Sequence, residues 1–186
     1  TSVSELIFSD LYRLTGKPKS SFSFLKALVN PEFRYAVIFR LTHHALFNQN
    51  RFLYFSFKIL HRHYSIKYGY EINAHCRIGK GLRLVHYGGL IINDFSVIGT
   101  NCTIFKGVTI GSQRRGTKKG APAIGNSVWI GSNAIIVGGI IIGDNVLIAP
   151  GAYVNVDVPS NSICIGNPAK IISRETATEG YIDNPC

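Results

Sequence analysis

Aliphatic side chains recur at every sixth residue through the second half of the chain. Ile72, Ile78 and Leu84 open the series. After a two-residue slip it resumes at Ile92, Ile98, Ile104 and Ile110, and after a longer interruption, Gly111 to Ala123, at Ile124, Ile130, Ile136, Ile142, Ile148 and Val154. Glycine often follows the aliphatic residue (Gly79, Gly99, Gly111, Gly125, Gly131, Gly143). A residue of modest size often stands four places on (Cys76, Ser96, Cys102, Val128, Ala134, Val146, Ala152). Neither the helical period nor strand alternation generates this series. It suits a triangular parallel β-helix, in which each hexapeptide supplies one short strand and one corner and three make a coil. Stacked coils then enclose a dry aliphatic core. A sandwich with Gly-rich turns would not hold a six-residue phase through thirteen aliphatic positions.

The residues before the repeat read as helices. Ser2-Val3-Ser4-Glu5 has capping-box spacing ahead of Leu6, Ile7, Leu11 and Leu14, and Asn30-Pro31-Glu32 is an N-cap followed by proline at the first helical position. Gly16-Lys17-Pro18 and Asn48-Gln49-Asn50 separate the segments, which places helices near 3–15, 22–29, 31–47 and 51–66. The expected organisation is a helical part at 1–70, a β-helix at 71–172 and a tail at 173–186.

Charge is uneven along the chain. Residues 1–70 hold ten Lys/Arg against three Asp/Glu, residues 71–186 ten against seven, and no acidic residue lies between Phe33 and Tyr70. Arg51, Lys58, Arg62 and Lys67 alternate there with Phe52, Tyr54, Phe55, Phe57, Tyr64, Tyr68 and Tyr70, a mixture suited to an anionic membrane surface. Aromatic residues at helical spacing more often serve a core, so packing is expected to be their principal role. Nucleic-acid binding is not expected, because no recognisable module accompanies the basic charge. No uncharged stretch is long enough to span a bilayer and no signal-peptide pattern opens the chain. The four cysteines lack metal-ligand spacing and read as reduced packing residues, which points to the cytoplasm.

Candidate chemistry concentrates where the repeat slips. Leu84-Val85-His86-Tyr87-Gly88-Gly89 places a histidine, a base able to lose and regain a proton near neutral pH, on a stiff scaffold. Glu71, fifteen residues earlier, is a carboxylate that could orient its ring. His75 and His86 do not make a ligand set by themselves, so no metal is expected. The Arg114-Arg115 and Lys118-Lys119 pairs give the long loop a positive field able to attract an anionic cofactor.

Together, Gly69-Tyr70-Glu71-Ile72, the segment ending in His86, Gly107-Val108-Thr109-Ile110-Gly111, Val128-Trp129-Ile130-Gly131 and Ile165-Gly166-Asn167-Pro168-Ala169-Lys170 resemble the hexapeptide-repeat acyltransferases, in the serine acetyltransferase-like branch. The resemblance covers roughly residues 70–172. It implies a left-handed β-helix, an exception to the right-handed crossover rule, assembled as a homotrimer with acetyl-CoA sites between neighbouring subunits. It makes His86 the catalytic base and Glu71, on a longer side chain than the family's Asp, its dyad partner. It sets pantetheine beside Gly111, Ser112, Ser132 and Pro150, with Lys170 near a CoA phosphate. Tyr87, Asn93, Asp94 and Lys106 are the candidates for shaping the acceptor pocket.

Two departures from the serine-specific pattern bear on the acceptor. Val85 stands where serine acetyltransferases have Asp before the catalytic His, and Gly120-Ala121 where they have Arg-His before the proline of the long loop. A site lacking partners for an amino acid's charged ends binds it at a penalty. The expectation is therefore O-acetylation of a sugar or saccharide intermediate in surface polysaccharide biosynthesis, as in the colanic acid acetyltransferase type. The alternatives are a serine O-acetyltransferase of cysteine biosynthesis, an amino-sugar N-acetyltransferase, and a catalytically silent structural or membrane-docking module.

Overall fold

A computed structural model describes all 186 residues. Four helices come first: α1 (Val3–Thr15), α2 (Ser21–Ala27), α3 (Pro31–Phe47) and α4 (Arg51–Tyr68). Ser2 and Glu5 form the capping box reciprocally, the Asn30 side chain accepts from Phe33 N at 2.8 Å, and Gly16 and Gly69 end α1 and α4 in the left-handed region. These local signals set the helix ends.

Fifteen short strands follow. In chain order they are β1 (Tyr70–Ile72), β2 (Arg77–Ile78), β3 (Arg83–Val85), β4 (Leu90–Ile92), β5 (Val97–Ile98), β6 (Thr103–Phe105), β7 (Thr109–Gly111), β8 (Ala123–Ile124), β9 (Trp129–Ile130), β10 (Ile135–Val137), β11 (Ile141–Ile142), β12 (Val146–Ile148), β13 (Tyr153–Val154), β14 (Ser162–Ile165) and β15 (Lys170–Ser173). They form three faces: β1-β4-β7-β10-β13, β2-β5-β8-β11, and β3-β6-β9-β12-β14, to which β15 adds antiparallel. The result is a left-handed parallel β-helix with an amino-terminal helical segment.

The period-six residues point inward and meet in register. Ile72, Ile92, Ile110, Ile136 and Val154 stack on the first face, Ile78, Ile98, Ile124 and Ile142 on the second, and Leu84, Ile104, Ile130 and Ile148 on the third. All are buried, each worth roughly 1.5–3 kcal/mol relative to exposure. The residues of modest size fill the same core from the corners. The recurrent glycine has a steric cause: a Cβ at Gly79 would lie 2.7 Å from the Gly99 backbone, and one at Gly99 would lie 2.5 Å from the Gly125 carbonyl oxygen.

A buried ion pair joins the helices to the first coil. Arg40 of α3 binds Asp10 of α1 at 2.9 Å and also donates to the carbonyls of Ile78 and Gly79 at 2.5 and 2.6 Å. Asp10 accepts the Leu82 amide at 2.7 Å. Backbone groups that would otherwise end the stack unpaired are thereby satisfied.

Helix α4 packs one side inward, through Tyr54, Phe57, His61, Tyr64 and Tyr68, and turns Phe52, Phe55, Ile59 and Ile66 outward. The packing role expected of its aromatics thus holds for only part of them. No helix is long and apolar enough to cross a membrane. Three cysteines are buried and free, whereas Cys186 is exposed and is not the packing residue expected. The segment after β15 is docked rather than loose. It covers the third face, with Tyr181 5.1 Å from Trp129, Thr178 bonded to Asn145, and Cys186 exchanging backbone hydrogen bonds with the Asn101 side chain.

Candidate active site

The slip in the six-residue period is the corner that carries His86. Val85 is level with Phe105 and Ile91 with Thr109, so residues 86–90 span a step that residues 106–108 span one coil later. The two extra residues bow outward, and His86, Gly88 and Gly89 take positive φ angles of 58°, 124° and 68°. A non-glycine residue in this region costs roughly 1–2 kcal/mol, so histidine is held there by its surroundings. The Tyr70 hydroxyl donates to the His86 carbonyl at 3.4 Å, and the exposed imidazole meets the Phe105 ring at 6.1 Å with its edge.

Parallel register carries this corner upward as a column. Lys106 is the next level above His86, Ser132 the next and Pro150 the next, one or two residues past the paired positions. Backbone bonds follow the same order: Lys106 N to Val85 O at 3.0 Å, Asn133 N to Lys106 O at 3.1 Å, and Gly151 N to Ser132 O at 2.9 Å. Lys170 lies beyond the column's far end, on β15 opposite Ile165. With neighbouring strands about 4.8 Å apart, the four predicted residues form one continuous edge.

The remaining predicted residues sit around a different feature. Between α4 and the first face runs a groove of about 880 Å³, lined on the sheet side by Glu71, Asn93, Asp94 and Gly111 and on the helix side by Tyr54, Lys58 and Arg62. Asn93 also donates to the Ser112 hydroxyl at 3.3 Å. Tyr87 leans on Tyr68 at 5.7 Å, over the end of α4. Gly69, just before β1, lies beneath Gly88 and Gly89, bringing the groove up to the histidine's corner. No hydrogen bond joins Glu71 to His86, one standing on a strand face and the other on the protruding corner, so the dyad is not closed within one chain.

The long loop closes as a hairpin through Gln113 and Gly120, whose backbones exchange hydrogen bonds. Lys118 is engaged by Asp157, which leaves Arg114 and Arg115 exposed near the tip. Beneath α4, His61 is buried against the Tyr35 hydroxyl at 3.0 Å, and burial brings its pKa down to about 4 while pushing the Tyr35 phenol up. No three His, Cys, Asp or Glu side chains gather as a metal site.

Residues 122–155 match the family "Bacterial transferase hexapeptide (six repeats)". The Helicobacter pylori serine acetyltransferase is 34% identical over 148 residues, covering 80% of this chain and 85% of that protein. The chain belongs to the serine acetyltransferase family. Serine acetyltransferase 2 of Arabidopsis thaliana is 33% identical over 88% of this chain, which spans 50% of its length; the corresponding share for the Synechococcus elongatus relative is 48%. Among solved structures, Neisseria gonorrhoeae serine acetyltransferase in complex with serine superposes with a TM-score of 0.76 at 30% identity, over 92% of this chain and 69% of that one. Serine acetyltransferase from Brucella abortus in complex with coenzyme A gives 0.78 at 28%, over 92% and 68%.

These relatives overturn the sugar acceptor and the colanic acid type expected from the sequence. That expectation rested on Val85 and Gly120-Ala121. Missing charges at those corners tell which groups do not hold an acceptor and leave open what does. Two of the basic residues of α4, Lys58 and Arg62, read from sequence as packing or membrane contacts, line a wall of the groove. Their signal was the pair Lys58 and Arg62 four residues apart on a helix without acids, but the sequence did not place the helix beside Glu71.

Proposed function

We propose that this chain transfers acetyl from acetyl-CoA to the hydroxyl of L-serine, with His86 as general base. The observation that carries the reading is the histidine on a bowed corner at the foot of the Lys106, Ser132 and Pro150 column, in a chain of this family. An extended pantetheine arm laid along that column, with Lys170 at its phosphate end, would present the thioester at the imidazole. Neutral His86 takes the hydroxyl proton as the oxygen attacks, and the imidazolium returns it to the departing CoA thiolate. Glu71 balances the imidazolium once the dyad closes. A backbone N–H at Gly111 or Ser112 serves the developing oxyanion.

We also propose a homotrimer with acetyl-CoA held between neighbours. Supporting it, the second face leaves Val97 and Ile141 exposed at 45% and 65%, and the first leaves Ile91 and Ile135 exposed at 41% and 39%, whereas the third is covered by the chain's own last residues. A cytoplasmic location goes with this reading; contact of α4 with a membrane does not follow from it. The test is thiol release from acetyl-CoA on adding L-serine. Saturable, serine-dependent release is expected, and none above background would overturn the assignment.

A further inference from the structure

We propose that Arg62 and Lys58 of α4 hold the carboxylate of the amino-acid acceptor and that Asp94 holds its ammonium group; the inference rests on the serine-acetylating role above. The groove brings all three to one space with Glu71. Its helix wall carries two cations and its sheet wall two carboxylates, yet none of the four forms an ion pair, since the chain's salt bridges are Asp10–Arg40 and Asp157–Lys118. Lys58 engages only the Tyr54 ring, at 5.4 Å, and the Asp94 carboxylate has no hydrogen-bond partner. Opposite charges that face each other across an open groove without meeting suit a zwitterion, which offers each wall its counter-charge. A simple anion would leave the carboxylates unanswered, and a simple cation the guanidinium.

The same arrangement accounts for the uncharged residues elsewhere. Val85, Gly120 and Ala121 offer an amino acid no charge, but the groove, whose lining runs from Asp94 to Gly89 beside the corner that carries His86, supplies both signs. Bidentate geometry makes Arg62 the better carboxylate partner, with Lys58 one helical turn earlier as a second point charge.

The experiment compares the parent with Lys58→Gln/Arg62→Gln, Arg62→Lys, Asp94→Asn and Lys67→Gln. The last lies on the same helix outside the groove. Circular dichroism and the unfolding midpoint establish folding. For the double variant we expect the KM for L-serine to rise about 10- to 100-fold, as for loss of charged hydrogen bonds, with kcat and the KM for acetyl-CoA near parental values. Arg62→Lys should retain most of the affinity and Lys67→Gln all of it. The parent's preference for L-serine over its methyl ester should vanish in the double variant, and Asp94→Asn should weaken L-serine but not glycerate, which lacks the ammonium group.

Calorimetric titration of L-serine separates the two readings. Turnover with an unchanged serine KM in the folded double variant overturns the groove assignment alone. Serine binding to the parent without turnover, lost in the double variant, overturns acetylation and supports the groove. A parent that neither binds nor acetylates serine overturns both.

Discussion

His86 occupies a backbone conformation that few side chains accept, so its replacement has to respect the corner as well as the chemistry. Asparagine tolerates the left-handed region, and His86→Asn is expected to fold like the parent while losing about 10²- to 10⁴-fold in acetyl transfer. Parental turnover by the folded variant, followed as thiol release, would remove His86 from the mechanism. Glu71→Gln should cost less, because the amide still accepts a hydrogen bond but carries no charge to balance the imidazolium. A loss equal to that of His86→Asn would instead make Glu71 indispensable to the proton transfer itself.

Between elements, the Asp10–Arg40 pair decides whether the helices stay seated on the first coil. Removing either partner leaves the other charged and buried, and Asp10→Ala or Arg40→Ala should destabilise by about 3–5 kcal/mol. An apolar double replacement should recover only part of this, since the Ile78 and Gly79 carbonyls and the Leu82 amide also lose their partners. Urea unfolding checks both statements, and single variants within about 1 kcal/mol of the parent would refute them.

His61 ties α4 to α3 with a pH signature. Its folded pKa is about 4, below the ordinary 6.5, so the unfolded chain takes up the proton first. The stability from keeping it neutral is complete above about pH 6.5 and is lost as pH falls toward 4, on the order of 3 kcal/mol in all. His61→Gln should flatten that part of the stability curve between pH 7 and 4.5. An unchanged slope would mean that other groups carry it.

At the scale of the whole molecule, the β-helix hides its core completely but leaves two outer faces with apolar side chains in the open. Association should cover them. Sedimentation of the parent is expected to give a trimer, and Ile135→Asp with Ile141→Asp should shift it to monomers while circular dichroism keeps its β-helix spectrum. Trimers that survive both charges would place the subunit contact elsewhere.

The sequence by itself determined the scaffold, because a β-helix repeats one local instruction: an inward aliphatic residue, a glycine where the next coil's backbone comes too close for a Cβ, and a small residue at the corner. Ile72 to Val154 state its aliphatic part thirteen times, and Ser2, Asn30 and Gly69 state the helix ends as plainly. The slip between Leu84 and Ile92 likewise marked the corner of His86, because an extra pair of residues in a fixed register has nowhere to go but outward. What only the tertiary structure decided was which surfaces face one another. The three uncharged residues at 85, 120 and 121 point away from an amino-acid acceptor, and Lys58 and Arg62 read from the sequence only as the basic side of an aromatic helix. Whether their charges point to lipid, solvent or Glu71 depends on how α4 leans on β1, and that follows from its own His61 and Tyr68 packing against Tyr35 and Tyr70. Those contacts are long-range and aperiodic, and no spacing along the chain encodes them.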